Sequence, residues 1–375
     1  MFFFFLMSNN NPLKNSSMHA VLALKDGTIF EGKGFGALKE TAGEVVFNTS
    51  LVGYEESLTD PSYKGQILTL TYPLIGNYGV RKDSFESEKV QVEGFVVREF
   101  QEFYSHRKAV KSISQFLKEF DIPGISGIDT RMLTKKIREH GVINGALVTS
   151  EEKIDAQEVL EKAKKLTDYS SIDLLPKVSV KKPEFIDAKG EKTIALIDTG
   201  VKLSIIRNFV KRGVNVYRLP YNTKPQEVKD LKVNGLFLAN GPGDPEMAVD
   251  AIKLVKELQS EMPITGICLG NQIVGLALGG KTYKLKFGHR GTNQPVKNLR
   301  ENKVYITSQN HGFAVDANSL DGTGLSVSHV NLNDGSVEGM KHKTLPIQTV
   351  QMHPEANPGP WDIENIFDKF VKDLK

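Results

Sequence analysis

The chain has 375 residues, 48 basic and 45 acidic side chains, a formal charge of +3 and 39% hydrophobic residues. That near-balance excludes a protein whose binding rests on concentrated positive charge, as in dedicated nucleic-acid binders, and the length suffices for two domains with separate cores. A single cysteine excludes an intrachain disulfide framework and any cysteine-cluster metal centre, and leaves Cys268 as either a buried hydrophobe or a nucleophile.

The first seven residues, Met1–Met7, are apolar. A bilayer span needs about 20 residues, and neither a basic n-region nor a small-residue cleavage site accompanies them. Residues 1–17 are expected to be a disordered extension, with Met18 a second candidate start. No later stretch is apolar for long enough to cross a membrane. The expectation is a cytoplasmic protein with neither nucleic acid nor membrane as partner.

From residue 18 to about 150 the pattern is β-rich with inserted helices. Asp26-Gly27 between Val21–Leu24 and Thr28–Phe30 predicts a hairpin. Val90–Val97 is strand-like. Val110, Ile113, Phe116, Leu117 and Phe120 keep helical spacing until Asp121-Ile122-Pro123-Gly124 stops them. Met132–His140 predicts a second helix, closed by Gly141. Residues 151–191 hold an amphipathic helix, Ile154–Leu166, and a polar lysine-rich stretch, Lys177–Lys192, expected to be a linker.

From 192 to 375 strands and helices alternate. Strands are predicted at Thr193–Ile197, Val214–Leu219, Leu236–Ala239, Ile264–Ile267 and Pro346–Gln351. Helices follow Gly200 and fill Ala248–Leu258, and another closes the chain with Ile363, Ile366, Phe367, Phe370 and Leu374. Such alternation predicts right-handed βαβ units in a mostly parallel, doubly wound α/β sheet. The N-terminal domain is expected to be a mixed, β-rich α/β unit. In open parallel sheets ligands bind beyond the carboxyl ends of the strands. Asn240-Gly241-Pro242-Gly243 and Cys268-Leu269-Gly270 fall there.

Gly266-Ile267-Cys268-Leu269-Gly270 places a thiol between strand and helix with a glycine two residues away on each side. This is the layout of a nucleophile elbow in cysteine form. The helix start offers N–H groups and a positive dipole end, which favour thiolate and can stabilise an oxyanion. The competing reading is that Cys268 only packs; the glycine bracket and strand-end position weigh against it. A nucleophilic thiol needs a base. His353-Pro354-Glu355 follows a strand, and extended backbone there puts residues 353 and 355 on one side, so the carboxylate can orient the ring. Alone, His-x-Glu is weak. Gly275–Thr282 matches a phosphate-loop pattern formally, but a helix pattern precedes its glycines and a strand pattern, Thr282–Phe287, follows, which is the wrong order. Gly279-Gly280 is expected to end the Cys268 helix. No paired metal-ligand motif stands out in the sequence, and His289-Arg290 is a basic pair in a predicted loop.

These residues resemble the motifs of class I glutamine amidotransferases: Gly266–Gln272, Asn240-Gly241-Pro242-Gly243-Asp244-Pro245 and His353-Pro354-Glu355 occur in the family's order. Phe47–Ser50, Leu58–Tyr63, Thr69–Pro73, Gly127–Arg131 and Phe287–Gly291 resemble the carbamoyl-phosphate synthase small-chain family, over nearly all of the chain from Met18 onward. His289-Arg290-Gly291-Thr292-Asn293-Gln294-Pro295 departs modestly from that family's His-His-Gly-Gly-Asn-His-Pro. The resemblance implies glutamine hydrolysis, with ammonia passed to a large synthetase chain that uses ATP, Mg and bicarbonate to make carbamoyl phosphate for pyrimidine and arginine synthesis. It implies no cofactor or metal in this chain. It also implies Cys268 as nucleophile, His353 as proton shuttle and Glu355 as its orienter. Gly241 and Leu269 supply oxyanion N–H groups, and glutamine contacts fall to Ser50, Gly241, Gly243, Leu269, Gln272, Asn310, Gly312 and Phe313, at a site facing the domain interface. The glutaminase part of an anthranilate or guanylate synthase lacks such an N-terminal domain. A silent scaffolding subunit could have lost any of Cys268, His353 and Glu355. With one thiol in the chain, alkylation and loss of glutaminase activity should track each other one to one when label incorporation is followed by mass spectrometry.

Overall fold

The computed structural model describes residues 18–375; the expected extension 1–17 lies outside the described residues. The first half closes a barrel. Its strands are β1 (His19–Leu24), β2 (Ile29–Gly36), β3 (Glu40–Asn48), β4 (Gln66–Leu70), β6 (Gly94–Val96), β8 (Pro123–Ser126) and β9 (Ile143–Ser150), in the order β1-β2-β8-β6-β4-β3-β9. A small pair, β5 (Leu74–Ile75) and β7 (Glu99–Phe100), stands apart. Alternation along β1 serves two cores. Leu22 and Leu24 pack with Val45, Ile67, Val96, Ile125 and Leu147, while Val21 and Ala23 meet Val159, Leu160 and Ala163 of the helix Ala156–Lys164. Burial on both faces explains why β1 carries no polar alternation.

The second half is one ten-stranded sheet. Its strands are β10 (Glu184–Ile186), β11 (Lys192–Asp198), β12 (Val214–Pro220), β13 (Gly235–Leu238), β14 (Ile264–Ile267), β15 (Thr282–Asn298), β16 (Lys303–Val315), β17 (Leu325–Asn331), β18 (Val337–His342) and β19 (Ile347–Val350). The order is β10-β12-β11-β13-β14-β19-β18-β17-β15-β16. The run β12-β11-β13-β14-β19 is parallel, as the βαβ pattern predicts. Its two faces are covered separately. Ile194 and Leu196 pack with Phe209, Phe367 and Phe370, and Ala195 and Ile197 with Leu254, Val255 and Ile273.

The sheet continues antiparallel on both sides of that run. β10 pairs with β12, so the lysine-rich stretch expected as a linker contributes an edge strand. Beyond β19, β18, β17, β15 and β16 are all antiparallel neighbours. β15 and β16 are long, polar and broken by register shifts at Lys284/His289 and Gly291/Gln294, so apolar periodicity shows little of them. His289 and Arg290, expected in a loop, lie inside β15. The predicted strand Val90–Val97 shrinks to Gly94–Val96.

Helix ends follow local chemistry. Ser112 and Gln115 form a reciprocal capping box at the start of Ile113–Glu119. Gly279, at φ 103°, follows the helix Leu269–Ala277 and leads into β15, the reverse of a phosphate loop. The glycines around Cys268 are there for close approach. A Cβ on Gly270 would sit 2.2 Å from the Leu238 carbonyl oxygen, and one on Gly266 would sit 2.9 Å from the Gly270 carbonyl carbon. Gly270→Ala should therefore destabilise the protein by about 2 kcal/mol or more, as overpacked interiors do, read as a lower urea midpoint at unchanged slope.

Candidate active site

Four turns leave the carboxyl edge of the parallel strands: after β11 to Lys202, after β13 to Gly241, after β14 to Cys268 and after β19 to His353. Cys268 has φ 56° and ψ −105°, a conformation that non-glycine residues rarely adopt. Its backbone N–H donates to the Val350 carbonyl at 2.9 Å, which ties the elbow to β19. The chain passes from strand to helix through this one residue, and the thiol is held 3.5 Å from the Asn310 carbonyl, to which it donates.

His353 is buried, with Nδ1 2.6 Å from Glu355 Oε1. The carboxylate fixes the tautomer and leaves Nε2, buried and without a hydrogen-bond partner among the described residues, on the other side of the ring. Burial alone would push the His353 pKa down, but Glu355 and Cys268 outweigh it and lift it to about 10. Glu355 moves oppositely: burial pushes it up, and His353 and Lys202 bring it down to about 2.

A cavity opens at the thiol, lined among others by Gly241, Gly243, Cys268, Gln272 and Arg290. Three of the remaining predicted contacts, Asn310, Gly312 and Phe313, line it too. The cavity is walled by both halves of the chain, since Glu44, Ser62 and Gln66 also border it.

Residues 22–147 match the family model described as carbamoyl-phosphate synthase small chain, CPSase domain, and residues 195–373 match glutamine amidotransferase class-I. The carbamoyl phosphate synthase small chain of Methanocaldococcus jannaschii is 55% identical over 358 residues, which is 95% of this chain and 99% of that one. Those of Methanopyrus kandleri and Archaeoglobus fulgidus are 51% and 49% identical, over 94% and 96% of this chain and 98% and 99% of theirs. The chain belongs to the carbamoyl-phosphate synthase small-chain family. This small chain carries a class I glutamine amidotransferase domain behind its barrel.

Not all of the residues expected at the glutamine site share one cavity. Ser50 borders a neighbouring space, together with Asp60, Lys202 and His353, and Asn310 is common to both. Leu269 buries its side chain among Leu238, Leu254 and Ile273, so only its backbone can serve the site. Gln272 donates through Nε2 to the Phe313 carbonyl at 2.7 Å. Asn310 donates through Nδ2 to Asp60 Oδ2 at 2.8 Å, and Asn240 to Ser62 Oγ at 2.9 Å, so the barrel half braces the small chain's glutaminase half.

Sequence reasoning missed Lys202 and Glu86. The Lys202 ammonium is buried 3.0 Å from Glu355 Oε1 and 3.4 Å from Glu86 Oε1. Burial would lower its pKa, but Glu355, Glu86 and Asp60 outweigh it and keep it charged. Glu86 belongs to the first half and accepts from Ser204 Oγ and Asn357 Nδ2, each at 2.8 Å. Lys202 is placed by Asp198, whose carboxylate accepts from the N–H groups of Gly200 at 2.9 Å and Val201 at 2.8 Å. Its position just beyond a parallel strand was a usable signal; nothing in the sequence pattern marks Glu86.

The pair His353–Glu355 makes stability depend on pH in two directions. Glu355, lowered from 4.5 to about 2, contributes above the unfolded value and loses that contribution as pH falls from 4.5 towards 2. His353, raised from 6.5 to about 10, contributes fully below 6.5 and loses it as pH rises towards 10. Glu355→Gln should flatten both limbs, measured as urea midpoints near pH 3, 5.5 and 9.

Proposed function

We propose that this small chain hydrolyses glutamine through Cys268, His353 and Glu355 and delivers the ammonia to a large synthetase chain. The observation that carries the reading is a strained thiol at a strand-to-helix elbow beside a buried His–Glu pair. The Cys268 thiol gives its proton to His353 as Sγ attacks the side-chain amide carbon of glutamine. The resulting oxyanion is held by the N–H groups of Gly241 and Leu269. His353 protonates the leaving nitrogen, and ammonia departs from a γ-glutamyl thioester. His353 then takes a proton from water, hydroxide attacks the thioester, and glutamate leaves as the thiol is restored.

In this reading Gly243, Gln272, Asn310, Gly312 and Phe313 hold glutamine in the cavity, and Ser50 reaches it from the barrel half through the neighbouring space. Residues 18–150 form the small-chain N-terminal domain, 151–191 a connecting helix and segment, and 192–375 the amidotransferase domain. The ATP, Mg and bicarbonate chemistry is assigned to the large chain. The reading has the protein working in the cytoplasm, in keeping with a single free thiol; among the described residues no helix is long and apolar enough to cross a membrane.

Cys268→Ser in the complex with the large chain should abolish glutamine-dependent carbamoyl phosphate synthesis and leave ammonia-dependent synthesis intact. Loss of both would show that Cys268 holds the structure together rather than doing chemistry.

A further inference from the structure

His289 and His311 face each other across β15 and β16, with rings edge to face and 4.9 Å between centroids. Glu338 of β18 closes the group, and all three side chains are buried. Glu338 Oε1 lies 3.5 Å from His289 Nδ1 and 4.0 Å from His311 Nε2. The donor atoms of the three residues lie within 4.8 Å of one another.

The outer side of each donor is already engaged. His289 Nε2 is 3.0 Å from Asp334 Oδ2, and His311 Nδ1 is 2.7 Å from the Phe313 carbonyl. Both acceptors call for the ring N–H on their side, which turns the lone pair of the other nitrogen inward. Glu338 accepts from Gln309 Nε2 at 2.7 Å and from Asn331 Nδ2 at 3.1 Å. Carboxylate or carbonyl acceptors behind each histidine, and amides behind the carboxylate, are the outer arrangement that ligands of transition metals carry.

A network of protons alone does not satisfy this cluster. Asp334, 3.0 Å from Nε2, and Asn331 Nδ2, 3.4 Å from Nδ1, account for the two nitrogens of His289. His311 Nε2 is still left buried without a donor among the described residues, its lone pair turned towards a carboxylate. A cation between them removes that conflict.

We propose that His289, His311 and Glu338 form a binding site for a divalent transition-metal ion of the zinc class. Two imidazoles and one carboxylate suit such ions, whereas calcium and magnesium prefer oxygen ligands throughout. The bound ion would fasten β15, β16 and β18 together one residue from Asn310, whose carbonyl accepts from the Cys268 thiol. His311 also lines the cavity at the thiol, so the ion would stand in the wall of that cavity.

The test uses the full chain carrying Cys268→Ser, so that the thiol cannot take the metal. The protein is stripped with a chelator and titrated with Zn²⁺, and with Co²⁺ for its visible absorption bands. A single ion per chain is expected, with a cobalt spectrum of nitrogen and oxygen ligation and a rise in Tm on zinc addition. Glu338→Gln and His289→Ala should each weaken binding by at least about tenfold, and Asp334→Asn, which only orients His289, by about tenfold. Failure of the Cys268→Ser chain to bind either ion would overturn the proposal. So would binding and a Tm rise that persist undiminished in the well-folded variants.

Discussion

At Cys268 the chain must leave a buried parallel strand and enter a helix within one residue. Everything else at the site is arranged around that turn. The turn is possible only because Gly266 and Gly270 let backbone approach backbone, and because the neighbouring strand β19 accepts the Cys268 N–H. The left-handed backbone at Cys268 carries strain of order 1–3 kcal/mol, borne by a surrounding core in which Leu238, Ile267 and Val350 are all buried. What the fold gains is a sulfur in a fixed place at the end of a helix, facing a cavity.

Charge is the second constraint. Lys202, Glu86, Glu355 and His353 are all buried, and none would be tolerated alone. Together they alternate in sign: Glu86, Lys202, Glu355, His353. The chain of contacts begins in the barrel half and ends at the His353 ring. Since breaking one member of a buried ion group leaves its partner uncompensated, the geometry of His353 depends on a residue in the other half of the molecule. The same is true of Asn310, held by Asp60. The barrel is thus part of the glutaminase, not merely attached to it.

Much of this was legible in the sequence because it is local. The strand–helix alternation, the glycine-bracketed thiol and the His-Pro-Glu run each rest on spacing within a few residues, and the parallel run β12-β11-β13-β14-β19 followed from them. Of the antiparallel extension only the start of β15, Thr282–Phe287, was legible, because β15 and β16 are polar strands whose burial comes from each other and from the barrel. His289 read as a loop residue for the same reason. Lys202 and Glu86 were missed for a different reason: a strand-end position alone does not tell a buried lysine from a surface one until its partners, far off in the chain, are known. The expected glutamine contacts came from the family resemblance alone, and of these Ser50 borders a different cavity from Gly241, Gly243, Gln272, Gly312 and Phe313.

The site is assembled from segments near residues 60, 86, 202, 268, 310 and 353, so it cannot exist before the last of them is made. On the ribosome Cys268 emerges well before His353. At about 5–20 residues per second, several seconds pass in which the thiol has neither His353 nor the β19 carbonyl that shapes its elbow. A nascent chain therefore carries an ordinary cysteine. The order of synthesis keeps the half-made protein from hydrolysing glutamine before it has a sheet to work from.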